Sequence, residues 1–182
     1  MRRLLLVNWL LASCWDVHTF VLPILGHERG LSASVIGAIL GAFAIAATVI
    51  RVAMPIVAAR LREWAVMACA MGVTAVLFAI YPLLQSPLAM GICSILLGFS
   101  LGSVQPMMLS TLHQITPPNR QGEALGLRMT TINACSVIMP TLFGTAGTLV
   151  GVAGVFWIVG TAVGIGSRAA WGLRDALDKH MT

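Results

Sequence analysis

Apolar runs of about 20 to 25 residues, the length of a bilayer-spanning helix, recur along the whole chain. Only short polar breaks such as "GHERGLSAS", "YPLLQSP" and "HQITPPNRQGE" separate them. In lipid, a helix satisfies its backbone polar groups internally, so each run reads as a helix and not as an open strand. A water-soluble domain is excluded by charge. Of 182 residues, 58% are hydrophobic and only 9% charged, against about a quarter in soluble domains. The pattern predicts an all-α membrane protein of one domain over residues 1–182. Six transmembrane helices are expected over about 4–25, 33–58, 64–83, 87–112, 121–147 and 150–173. Leu11, Ala12, Ser13 and Cys14 resemble a lipoprotein cleavage box, but apolar character resumes beyond Cys14 and continues to Leu25. The segment is therefore read as a span and not as a cleaved signal.

Net charge is +5. The arginines stand singly between apolar runs and form no patch, which argues against a nucleic-acid partner. Cys14, Cys69, Cys93 and Cys135 each lie inside an apolar run, without CxxC or Cys/His spacing. They read as small buried hydrophobes, and neither a metal nor a cofactor is expected. The basic residues also set an orientation. With the N-terminus in the cytoplasm, Arg2, Arg3, Arg51, Arg60, Arg62, Arg120, Arg128, Arg168, Arg174 and Lys179 lie on or near the cytoplasmic side, and only Arg29 lies outside. This bias over short loops obeys the positive-inside rule, supports the six crossings, and places both termini in the cytoplasm of a cell that holds the chain in its inner or plasma membrane.

Gly37/Gly41, Gly98/Gly102, Gly122/Gly126 and Gly160/Gly164 are each spaced four residues apart. That spacing lets helix backbones approach closely; any one pair is either a helix contact or an ordinary feature of membrane helices, and the four together argue for a compact bundle. The methionines follow no stripe and read as gap fillers. Pro23 and Pro106, and Pro55 and Pro140, fall at roughly corresponding places in the two halves of the chain. Such interruptions point to two inverted three-helix repeats around a transport pathway.

Asp16 lies near the middle of the first span. An aspartate there costs about 2.5 to 3.5 kcal/mol on insertion scales, so it should face protein or water. An acid that loads and releases a proton as its surroundings alternate between dry and wet is a device for proton coupling; the alternative is a structural acid held by a neighbouring helix. His18, two residues on, points about 200° away and cannot share the face of Asp16. It is either a satisfied interior histidine or a contact for solute or proton. Gln105 precedes Pro106, whose ring removes one backbone hydrogen bond and frees a carbonyl nearby. Gln105 and Asn133 each either line a cavity or join helices.

"TPPNRQGEALGLR" combines a proline stop, Arg120 and a glycine start, with Glu123 placed to pair with Arg120, Arg60 or Arg62. Its pattern of Pro117, Arg120, Gly122, Ala124 and Gly126 resembles the loop before the eleventh helix of major facilitator superfamily transporters. "RVAMPIVAARLREW" resembles that family's basic loop between helices eight and nine, with Arg51, Arg60 and Arg62 retained. Pro55 and Ala59 stand where the family commonly has glycine and aspartate. The resemblance covers nearly the whole chain but only the C-terminal six-helix half of a transporter. It implies that the first, second, fourth and fifth spans border a central cavity, making Asp16, His18, Gln105 and Asn133 pathway candidates. Arg60, Arg62, Arg120, Glu123 and Arg128 would form a cytoplasmic charge network.

The function expected is secondary transport of a small solute, coupled to protons, by a half-transporter. Alternating access needs two bundles rocking about a shared site. A second six-helix half is therefore expected as partner, either a separate chain or a second copy, with the lipid bilayer around both. The alternative is a truncated or split-gene membrane fragment, or a scaffold, without transport of its own. An intramembrane enzyme would show paired aspartates, HExxH or a serine–histidine set, and a channel would show a filter loop. Neither pattern occurs.

Overall fold

The computed structural model describes residues 2–58 and 63–171, and these contain helices and turns but no strand. Helix α1 (Arg2–Asp16) continues through a π-helical turn (Val17–Val21) into α2 (Leu22–Glu28), forming one rod. Gly30, at φ 70°, ends it in the left-handed conformation that glycine adopts without steric cost. Helices α3 (Ala33–Ala58), α4 (Glu63–Ile80), α5 (Pro87–Ile115) and α6 (Gln121–Trp171) follow. Pro87 opens α5 at a position where a missing N–H costs nothing. Pro117 and Pro118 prevent α5 from continuing.

The contacts give each helix a direction. Trp15 and His18 meet Phe43, and Gly26 meets Ile36, so the first rod and α3 are antiparallel. Thr74 bonds Ser100 while Tyr81 bonds Ser94, so α4 and α5 are antiparallel. Gly98 packs on Phe43 and Ala46, and Gly102 on Ala47 and Ile50, so α3 and α5 run parallel in close contact. At the end of the bundle away from Arg51 and Arg120, Arg29 donates from Nη1 to the Leu84 carbonyl and from Nη2 to the Pro82 carbonyl. This ties the turn after α2 to the turn before α5.

The sequence leads one to expect six helices; the described residues hold five that are long and apolar enough to cross a membrane. The difference lies in α6, whose 51 residues take the place of the two helices expected at 121–147 and 150–173. Its backbone leaves helical geometry inside that run only at Gly151, at φ 75° and ψ 164°, a region essentially reserved for glycine. On either side of this residue the contacts run in opposite senses. Cys135 lies beside Trp9 and Ser136 beside Asp16, parallel to α1. Beyond Gly151, Trp157 bonds the Ala79 carbonyl, Gly160 meets Phe78 and Gly166 meets Leu10 and Met71. That arm descends antiparallel to both α4 and α1.

Two of the four glycine pairs are helix contacts. Gly98/Gly102 meets α3, and Gly160/Gly164 meets Phe78 and Ala75 of α4. Gly37, Gly41, Gly122 and Gly126 meet nothing within 4 Å among the described residues. They look out of the bundle, where the described residues supply no facing helix. Ile45, Val49, Val52 and Ile56 form an exposed apolar stripe on α3 at helical spacing, the surface a membrane helix presents to lipid or to another bundle.

Candidate functional site

Asp16 occupies the midpoint of the apolar Leu4–Glu28 rod, as the last residue before the π-helical turn. Its side chain enters the seam between α1 and the first arm of α6 and is only 5% exposed. Oδ1 accepts a hydrogen bond from Ser136 Oγ at 3.4 Å. Oδ2 has no hydrogen-bond partner among the described residues. The rest of the seam is polar but neutral. Ser13 Oγ donates to the Trp9 carbonyl at 2.9 Å, Cys135 Sγ donates to the same carbonyl at 3.8 Å, and Ser13 and Cys135 are 3.4 Å apart.

His18 faces the opposite side of the rod. It is fully buried, and neither ring nitrogen has a hydrogen-bond partner among the described residues. Its ring lies 4.3 Å from Phe43 and 5.7 Å from Tyr81, centroid to centroid. The structure thus separates Asp16 and His18, one toward α6 and the other into an aromatic cluster against α3. The π-helical turn begins between them, and such turns in helices frequently mark functional sites.

Gln105 and Asn133 both stand on exposed surface. Thr130, Asn133 and Ser136 recur at three-residue spacing on the first arm of α6, so the group that holds Asp16 continues a polar, exposed face. Gln105 Oε1 accepts a hydrogen bond from Arg128 Nη2.

The charged residues divide into separate groups. Arg120 and Glu123 form a two-bond pair, Nε to Oε2 at 2.7 Å and Nη2 to Oε1 at 3.1 Å. Both are well exposed, so solvent screens the pair and it adds little to stability. Arg60 and Arg62 lie outside the described residues. Arg128 stands apart from the Arg120–Glu123 pair, turned into the bundle and 6% exposed. Glu63, which sequence reasoning passed over, accepts from Ser110 at 3.1 Å and from Gln114 at 2.7 Å, joining α4 to α5. Asn8 was also missed, although it gives the same signal as Gln105, an amide in an apolar run. It is 5% exposed, with Nδ2 unpartnered among the described residues. Among those residues no group of three His, Cys, Asp or Glu side chains is placed to hold a metal.

A family model described as Major Facilitator Superfamily matches residues 4–179. No curated protein sequence matches the chain.

Proposed function

Because this chain belongs to the Major Facilitator Superfamily, a family of multi-pass membrane transporters of solutes, we propose that it is a six-helix half of a secondary transporter that moves a small solute with proton coupling through Asp16. The observation that carries this reading is the state of Asp16. It is a buried carboxyl at mid-span with one oxygen bonded to Ser136 and the other without a hydrogen-bond partner among the described residues. An acid placed there only to hold helices together would have both oxygens engaged, since unsatisfied polar groups are costly in lipid.

The six-crossing layout draws support from the reversal of contacts at Gly151. At about 1.5 Å per residue, α6 as a single rod would far exceed an apolar thickness of about 30 Å. Two crossings joined at Gly151 fit it. With six crossings both termini share a side, and the arginine bias makes that side the cytoplasm. The exposed polar face of Thr130, Asn133 and Ser136 and the open glycines of α3 and α6 are suited to border a second six-helix half.

The test is proton-linked flux. Liposomes holding the active assembly and an internal pH-sensitive dye are offered sugars, amino acids, organic acids and lipophilic amines. The expected result is that one class moves protons with it and accumulates under an imposed pH gradient. Accumulation indifferent to an uncoupler would overturn proton coupling.

A further inference from the structure

Besides the seam at Asp16, the bundle holds a second polar centre, and its charge is of the opposite sign. Arg128 lies seven residues after Gln121, about two turns into α6. An arginine that served only to orient the chain would extend its stem toward head groups and water. Arg128 instead is turned into the protein and 6% exposed. Among the described residues no carboxylate pairs with it, the sole ion pair there being Arg120 with Glu123. Its recorded partner is the neutral amide of Gln105, through Oε1, and its Nε has no hydrogen-bond partner among the described residues.

Gln105 links this arginine to a small cavity between α1 and α5. Asn8, Leu11, Trp15, Leu101 and Gln105 are among the residues that line it, and its volume is about 20 Å³, room for one water or one carboxylate oxygen. Asn8 contributes a buried Nδ2 donor without a protein acceptor. Gln105 accepts from Arg128 through Oε1, which leaves its NH2 to donate. A second guanidinium, that of Arg51, stacks over Trp15 at 4.9 Å from the ring centroid. Asp16 follows Trp15 in the chain but turns its carboxylate to Ser136 of α6, and it lies eight residues, about 12 Å along the helix, from Asn8. The cavity thus joins, through Trp15 and Gln105, two arginines and two amide donors, and none of the residues lining it is an acid. A buried cation without a counter-charge is costly, and an anion supplied from outside relieves that cost.

We propose that Arg128, Gln105 and Asn8 form the head-group subsite for the solute, and that the solute is an organic anion bearing a carboxylate. This rests on the transport reading for its role and names the solute class within it. Arg128 pairs with the carboxylate, Asn8 and Gln105 donate to its oxygens, and Arg51 adds long-range attraction. Gln105 is exposed, so the body of the solute and the rest of its head group stay outside the cavity, on the side of Gln105 and Arg128, while one carboxylate oxygen enters it.

All the site residues belong to this chain, so binding can be read on the purified full chain in neutral detergent, by tryptophan fluorescence and thermal shift. The probes are acetate, propionate and benzoate, each against its uncharged amide. The expected result is that a carboxylate binds and its amide does not. Arg128→Gln should weaken binding about tenfold or more, the loss of one charge-assisted pair. Arg128→Lys should lose less, and both variants should remain monodisperse. Equal binding of acid and amide, binding unchanged in Arg128→Gln, or no binding of any of the three carboxylates would overturn the proposal. Competition by phosphatidylglycerol but not by free carboxylate would assign Arg128 to lipid and overturn it as well. A chain that binds carboxylate through Arg128 in an assembly that moves none would leave the subsite standing and sink the transport reading. Transport of an uncharged solute untouched by Arg128→Gln would do the reverse.

Discussion

Gly102→Val is expected to leave almost no monodisperse protein after detergent extraction. A Cβ at residue 102 would meet Ile50 Cγ2 at 2.5 Å, the Ala47 carbonyl oxygen at 2.7 Å and Ala47 Cα at 2.8 Å. Two of these belong to the α3 backbone, which cannot turn aside as the tip of a side chain can. One turn earlier, a Cβ on Gly98 would meet the Phe43 carbonyl oxygen at 2.5 Å and Ala46 Cβ at 2.9 Å. Overpacking by a methylene typically costs about 1–3 kcal/mol, and valine adds three carbons against backbone, enough to consume much of a stability of about 5–15 kcal/mol. Gly102→Ala should survive with a lowered Tm. Gly41→Val is the control, because nothing lies within 4 Å of that site among the described residues. Its size-exclusion profile and Tm should match those of the parent chain. A monodisperse Gly102→Val chain with an unchanged Tm would rule out the parallel contact of α3 with α5.

Asp16→Asn is expected to reduce gradient-driven accumulation to the level of empty liposomes while leaving insertion and folding intact. The substitution keeps the shape of the side chain and an oxygen that can accept from Ser136, so stability should change by no more than about 1 kcal/mol. What disappears is the ability to bind and release a proton. Solute counterflow, which needs no net proton movement, should persist in the variant. Loss of both activities with a normal Tm would make Asp16 a solute contact and not a proton carrier. Retention of gradient-driven accumulation would remove it from the mechanism. Ser136→Ala, which removes the recorded donor to Oδ1, should shift the pH dependence of transport without abolishing it.

The membrane-spanning, all-helical character was legible because it depends on composition and run length, which are local properties. The helix ends were legible for a similar reason: Gly30, Pro87 and the Pro117–Pro118 pair act on their own backbones. Which glycines touch was not legible. Gly98/Gly102 and Gly37/Gly41 have the same spacing, but among the described residues only the former faces another helix. A gap between two helices was expected at 148–149; the backbone instead leaves helical geometry at Gly151, inside the expected sixth helix, as one residue at positive φ in an otherwise continuous helical run. Asp16 announced itself as a charge in an apolar run. Its unshared oxygen depends on Ser136, 120 residues away, and could only be read in three dimensions. Arg128 illustrates the opposite difficulty. Counted with the cytoplasmic arginines, it obeys the orientation rule, yet its side chain turns inward to Gln105. Periodicity does not reveal which way a long side chain bends.

The account depends on the chain reversing direction at Gly151, so that Gln121–Trp171 crosses the membrane twice. Single cysteines at Asn119 and Leu149, both exposed, test this after Cys69, the exposed native cysteine, is replaced by serine. In intact cells, a membrane-impermeant maleimide should label residue 149 and should reach residue 119 only after the membrane is opened. Labelling of both positions from the same side would contradict the reversal, the six crossings and the half-transporter built on them.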